Sequence, residues 1–347
     1  MSAVQALDTR PLIQVPQPYL LFLGHAQDTT FMKTALGLRD WAHELCVGEY
    51  RCDSTQVSIG LPYLDPASAY RAGARALVIG VASIGGAIDE RWIDYLVRAL
   101  EAGLDIVSGA HKRLRDCPAL KRAAERFGRQ LIDVRVPPPG IPVATGRKRT
   151  GKRLLTVGTD CALGKKYTAL SLQRQFRRRG IDADFRATGQ TGILISGAGI
   201  PIDAVVSDFV AGAAEMLSPD AATDHWDVIE GQGSVFHPSY AGVSLGLLHG
   251  SQPDVIVLCH EAGRERIVGL EDYRLPSLRE AIDLTERLAR RTNPSVRCAG
   301  VSLNTSRLTE SAALELLREV SMSLNLPVAD PMRPGRELDG LVESCLA

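Results

Sequence analysis

The stretch Gly158-Thr159-Asp160-Cys161-Ala162-Leu163-Gly164-Lys165-Lys166-Tyr167-Thr168 gathers glycines, a carboxylate and two lysines in one short span. An apolar run, Leu154-Leu155-Thr156-Val157, precedes it, and Ala169-Leu170-Ser171-Leu172-Gln173 follows. That order reads as strand, glycine loop, helix. Such a loop turns its backbone N–H groups toward one point, at the positive end of a helix dipole, and the lysine adds an ammonium. The group it is built to hold is a phosphate. Gly158 to Asp160 and Gly164 to Thr168 are therefore assigned to a phosphorylated ligand. The alternative is a plain strand-to-helix turn that uses glycine for its backbone angles. The loop departs from G-x-x-x-x-G-K-[ST] twice: its glycines are one residue further apart, and Lys166 stands where a hydroxyl would meet Mg²⁺.

Ligands of open α/β sheets sit at the carboxyl ends of the strands, which draws attention to the polar groups that close apolar runs. Ile229-Glu230-Gly231-Gln232-Gly233-Ser234 is the strongest of these. A carboxylate ends a buried strand there, and glycines let a ligand approach the backbone. His237 follows closely enough to form an acid–base pair with Glu230. Arg186-Ala187-Thr188-Gly189-Gln190-Thr191-Gly192 is rich in donors, and it reads either as a ligand loop or as a turn. Asp208, after Val205-Val206, either binds an amine or a metal, or caps the helix starting near Phe209. His260-Glu261 and His111 close two further strands and are weaker candidates.

These groups need a scaffold. In the first half, strands are expected at Tyr19 to Gly24, Ala76 to Val81 and Gly103 to Gly109, with a helix over Glu90 to Leu100. In the second half, strands are expected at Asp182 to Ala187, Trp226 to Glu230, Asp254 to Cys259 and Val296 to Ser302. Helices fall near 164–179, 277–291 and 309–324. Continuous apolar strands between helices imply parallel sheets covered on both faces, so the class is α/β in both halves. The stiff Val136-Pro137-Pro138-Pro139-Gly140-Ile141-Pro142 and the basic run Arg147 to Arg153 mark a boundary, giving domains at 1–140 and 141–347. The basic run itself reads as a solvated linker.

Composition excludes several classes. Lys+Arg and Asp+Glu both number 40, so no net charge favours nucleic acid or a membrane surface. The seven cysteines form no CxxC pair, so neither a zinc site nor a disulfide framework is indicated. The glycines Gly85-Gly86 do not make the G-x-G-x-x-G of a nicotinamide site. Residues Met1 to Asp8 lack an apolar signal segment, and no run spans a bilayer, so a cytoplasmic protein is expected.

Gly158-Thr159-Asp160 with Gly164-Lys165, and later Glu230-Gly231-Gln232-Gly233, resemble the motifs of dethiobiotin synthetase-like P-loop proteins. A closer resemblance, over almost the whole chain, is to the D-glutamate N-acetyltransferase family. It is carried by Pro16 to Gly24, Leu154 to Lys165, Arg186 to Leu194, His225 to Ser234 and Ala241 to Gly250. The resemblance implies a Rossmann-like domain followed by a P-loop NTPase-like domain. It also implies transfer of acetyl from acetyl-CoA to the amine of D-glutamate, feeding a catabolic route with a partner dehydrogenase that acts on N-acetyl-D-glutamate. A homo-oligomer is expected.

Coenzyme A keeps its phosphates intact, so it needs neutralising charge but no metal to assist phosphoryl transfer. Lys166 in place of the hydroxyl fits that need, although Thr168 could still offer one; no metal is assigned. The reaction requires a base for the ammonium, donors for the thioester oxyanion and cations for two carboxylates. Glu230 is assigned as base with His237 as relay and Asp208 in reserve, and Arg186 as carboxylate clamp. Thr188, Gln190 and Ser234 are placed at the acceptor, and the backbone of Gly231 to Ser234 at the oxyanion. Two rival readings are an ATP-dependent ligase and a nucleotide-binding regulatory module without turnover.

Overall fold

The computed structural model of the protein describes residues 12–28, 31–53, 55, 57–81 and 88–347. Gly85-Gly86 and the stretch Met1 to Asp8 lie outside them. The chain forms two compact units. The first runs to Pro138 and takes in Gly189–Ala204, while the second comprises Pro139–Thr188 and Val205–Ala347.

In the first unit, the main-sheet strands are β1 Tyr19–Phe22, β2 Cys46–Tyr50, β3 Ala76–Ile79, β4 Asp105–Ser108 and β5 Leu131–Asp133. All are parallel, in the order β2-β1-β3-β4-β5. This is the doubly wound order that runs outward from the first strand in both directions. β1, β3 and β4 are the apolar runs expected from sequence. β2 carries Gly48 and Glu49, which break the apolar pattern. Glu49 is nonetheless buried, because Arg51 pairs with it and the Ile59 N–H donates to its Oε2 at 2.9 Å. The expected helix begins with a 3-10 turn, Glu90–Trp92, capped by Asp89, and continues over Ile93–Glu101.

In the second unit, the main-sheet strands are β6 Lys152–Gly158, β7 Ala183–Arg186, β8 Trp226–Ile229, β9 Val255–Glu261, β10 Arg297–Asn304 and β11 Val328–Ala329. They are parallel in the order β11-β10-β9-β6-β8-β7. β6 is central, and Leu154 faces both Val228 and Val255 in register. The helix Lys165–Arg178 packs Leu172 and Phe176 into the core formed by Leu154, Val228 and Val257. Each such side chain stabilises the fold by about 1.5–3 kcal/mol when fully buried.

Two findings depart from the sequence reading. The basic run is not a solvated linker throughout. Arg149 and Arg153 are buried. Arg149 donates to the carbonyls of Gly250 and Ser251, at 2.5 and 3.1 Å, where the helix Ala241–Ser251 ends. A cation at a helix C-terminus is favourable. Burial pushes the Arg149 pKa down to about 10, which leaves the group charged at neutral pH. The second finding is the excursion of Gly189–Ala204 into the first unit, where Ala198–Gly199 pairs antiparallel with Ile13–Gln14. The Tyr19 hydroxyl donates to the Leu194 carbonyl at 2.8 Å there. Among the described residues, no helix is long and apolar enough to cross a membrane.

Candidate functional site

The central strand β6 delivers Gly158 to the carboxyl end of the sheet, and the loop ends at Gly164, whose φ of +108° suits glycine. Lys165 then opens the helix. Its side chain is buried and lies between two glycines. A Cβ on Gly158 would stand 3.2 Å from Lys165 Nζ, and one on Gly231 would stand 3.1 Å from Lys165 Cδ. The ammonium donates to the Asp160 carbonyl at 2.7 Å. Burial pushes the Lys165 pKa down, opposed by Cys259, Cys161, Asp160 and Glu230. Burial also lowers Lys166, opposed by Glu230, and its Nζ lies 4.4 Å from the centre of the Tyr167 ring. Both lysines thus share the field of one carboxylate. The Thr168 hydroxyl is engaged, donating to the Gly164 carbonyl at 3.2 Å and bonding Ser302 Oγ at 2.7 Å.

Glu230 follows the last residue of β8 and is buried. Its Oε2 accepts from the Thr188 N–H at 3.0 Å, and its carbonyl accepts from the Thr188 hydroxyl at 2.7 Å. Gln232 Nε2 donates to the same hydroxyl at 2.9 Å. The Gly231 N–H donates to Thr156 Oγ1 at 2.9 Å, so that N–H is taken. A Cβ on Gly231 would fall 1.7 Å from the Thr156 carbonyl oxygen, which makes glycine obligatory there. Ser234 Oγ accepts from the Phe236 N–H at 3.1 Å, and Ser244 Oγ donates to the Gln232 carbonyl at 2.8 Å. Thr188, Glu230, Gln232 and the phosphate loop are therefore brought together, with the loop from Gly231 to Ser234 braced from below.

His237 is buried on the loop that follows Ser234. Its Nδ1 accepts from the Ser239 N–H at 3.1 Å, which leaves the proton on Nε2. That nitrogen faces Asp160 Oδ1 at 4.0 Å, and the ring stacks on Tyr240 at 4.4 Å. Asp160 has no exposed surface. It accepts from the Cys161 N–H at 2.6 Å, Arg264 Nη1 at 3.2 Å and the Val268 N–H at 3.1 Å. Thr159 Oγ1 meets His260 Nδ1 at 2.8 Å, and burial, helped by Arg264, lowers the His260 pKa.

Three assigned residues stand elsewhere. Arg186 directs Nε to Asp227 at 2.5 Å and Nη2 to Asp184 at 3.3 Å. The register pairs Asp227 with Asp184, so both carboxylates fall on the face that Arg186 occupies, and they engage the expected clamp. Asp208 is exposed in the 3-10 turn Ser207–Phe209 and does not cap the helix Val210–Leu217. Gln190 belongs to the first unit, where its side chain lies against Gly109. His111 is exposed there as well.

Among the described residues, two groups have metal-ligand spacing: Asp160, Cys161 and His237, and Asp184, His225 and Asp227. In the first, His237 Nδ1 accepts from the Ser239 N–H. In the second, Arg186 already supplies the cation.

The chain matches two family models, described as the domain of unknown function (DUF1611_C) P-loop domain over 142–339 and the domain of unknown function (DUF1611_N) Rossmann-like domain over 45–137. It is 50% identical over 329 residues to a D-glutamate N-acetyltransferase of Tritonibacter scottomollicae, spanning 94% of this chain and 99% of that one. It is 47% identical over 323 residues to a D-glutamate N-acetyltransferase of a Pseudoalteromonas species, spanning 93% and 97%. The crystal structure of a DUF1611 family protein from Anabaena variabilis superposes with a TM-score of 0.82 at 33% identity, covering 95% of this chain and 99% of that one.

Proposed function

We infer the activity from one premise: the chain belongs to the DUF1611 family that includes the D-glutamate N-acetyltransferases. It is an amino-acid N-acetyltransferase that moves acetyl from acetyl-CoA to the amino group of D-glutamate. The observation that carries the chemistry is the buried Lys165 between Gly158 and Gly231, with Glu230 acting on it and on Lys166. Two lysines at the head of a helix neutralise the CoA phosphates without a metal bridge. The Thr168 hydroxyl, tied to Gly164 and Ser302, supports the same reading.

In this reading Glu230 takes a proton from the acceptor's ammonium. The freed amine attacks the thioester carbon, the C–N bond forms and the C–S bond breaks. The CoA thiolate leaves and is protonated, and the nitrogen sheds its second proton as the amide forms. The Thr188 N–H, by donating to Glu230 Oε2, helps to orient the carboxylate. Backbone N–H groups of Gln232 to Ser234 are the proposed oxyanion donors, since that of Gly231 is occupied. With its phosphates on the loop, the pantetheine arm returns along the carboxyl end of the sheet to bring acetyl to Glu230. The product would pass to a dehydrogenase acting on N-acetyl-D-glutamate.

The test is mass spectrometry of D-glutamate incubated with the protein and acetyl-CoA, beside L-glutamate and a mixture of ATP and Mg²⁺ lacking acetyl-CoA. Gain of one acetyl group by D-glutamate alone, without ATP, is the expected result. Nucleotide hydrolysis with no acetylated product would establish a ligase instead.

A further inference from the structure

Strands β9 and β10 bring a second set of charges to the end of the sheet that carries the phosphate loop. In register, Cys259 of β9 lies beside Gly158, and Glu261 lies beside Asn304 of β10. The turn after β10 is tightly built. The Thr305 N–H and hydroxyl both donate to Asp330 Oδ2, at 2.9 and 2.6 Å, and the Ser306 N–H donates to Asn304 Oδ1 at 3.0 Å. Arg333 donates to Thr305 Oγ1 at 2.9 Å and to the Leu308 carbonyl at 3.0 Å. This framework presents Arg307, whose side chain is 81% exposed and meets Glu261 Oε1 at 3.3 Å. Glu261 is itself buried and also pairs with Arg264, which bonds Asp160 and the Cys161 carbonyl in the phosphate loop. A chain of ion pairs thus runs from the loop through Asp160, Arg264 and Glu261 to Arg307.

An exposed pair of this kind adds little stability. Arg307 keeps most of its guanidinium donors turned to solvent, on a braced turn two strands from β6, roughly 10 Å at the usual strand spacing. We propose that Arg307 forms a subsite for the 3′-phosphate of acetyl-CoA, and so distinguishes the cosubstrate from its dephospho form. The proposal rests on the CoA reading above and adds to it the direction in which the ligand lies. The β8 side of the loop ends in Glu230, which the reading above assigns to the reacting amine, so the acetyl group must lie on that side. The nucleotide end therefore leaves toward β9 and β10, and the pantetheine arm toward β8. A guanidinium fork suits a phosphate with several acceptor oxygens better than a lone ammonium does.

The test is calorimetric binding of acetyl-CoA and acetyl-dephospho-CoA to the wild type, Arg307→Met and Arg307→Lys, with melting temperatures as a control for folding. The wild type should favour acetyl-CoA by roughly 10- to 150-fold, the usual worth of a charge-assisted hydrogen bond. Arg307→Met should weaken acetyl-CoA by that factor and leave the dephospho form unchanged, with Arg307→Lys in between. Equal binding of the two cosubstrates by the wild type would overturn the subsite, as would equal weakening of both by Arg307→Met. The acetyltransferase reading would survive either result if acetylated D-glutamate still forms. Failure of the wild type to bind either cosubstrate would overturn both.

Discussion

Lys165 and Glu230 are the two side chains on which the proposed site depends, and they separate by experiment. Lys165 is buried and its ammonium rests on the Asp160 carbonyl, a contact that a phosphate would replace with a stronger, charged one. Lys165→Ala should weaken acetyl-CoA binding by about 1.5–3 kcal/mol. Calorimetry on the folded variant decides it, and unchanged affinity would remove the loop from the CoA site. Glu230→Gln keeps the shape and the acceptor for the Thr188 N–H but cannot take a proton at neutral pH. Turnover should fall by about 10²- to 10⁴-fold, the typical worth of a general base, while acetyl-CoA affinity changes little. A large affinity loss would make Glu230 a ligand contact, and near-normal turnover would remove it from the chemistry. Both residues were legible in the sequence because each breaks a local pattern: a lysine behind a glycine loop, and a carboxylate closing an apolar strand. Arg186 looked equally exceptional, but its partners Asp184 and Asp227 are fixed by strand register, which no local pattern displays.

The strands fix where charges meet. At the amino end of β8, His225 donates or accepts at Asp182, 2.7 Å from Nδ1, and at Asp227, 3.2 Å from Nε2, with Asp184 at 3.9 Å. Burial works against the charged ring, but the hydrogen bonds to Asp182 and Asp227 outweigh it, and the folded pKa is raised. A raised pKa gives stability that is fully present below the unfolded value and lost as pH rises through the folded one. The melting-temperature gap between wild type and His225→Gln should therefore be widest near about pH 5 and narrow toward about pH 8. A gap that is constant across that range would show that the ring acts by packing alone. The same scale explains why the basic run misled. Arg149 and Arg153 look like solvent-facing charges until the ends of two helices and a strand surround them with carbonyls.

The molecule as a whole carries the metal question. In the proposed reading, Lys166 at the loop, with the Thr168 hydroxyl engaged by Gly164 and Ser302, leaves neutralisation of the ligand to the protein's own cations. Acetyl transfer should proceed unchanged in EDTA and gain nothing from added Mg²⁺. Complete loss in EDTA, restored by Mg²⁺, would contradict the assignment of neutralisation to the lysines. The two units also share one segment of chain, since Thr188 serves Glu230 in the second while Gln190 begins a helix of the first.

The amino-acid sequence by itself determined the α/β class, most strands and helices of the second unit, the phosphate loop and the family. These follow from short-range features: apolar periodicity, glycine spacing, and the residue types that a loop or strand end requires. The tertiary structure alone decided which polar groups meet. His237 faces Asp160, Arg264 joins the phosphate loop from beyond β9, and Glu261 links it to Arg307. Apart from the local Glu261–Arg264 pair, each of these contacts joins residues far apart in the chain, and their meeting depends on strand order and register. Register in turn is set by the sum of the buried apolar contacts of the whole sheet, to which the polar residues themselves contribute almost nothing.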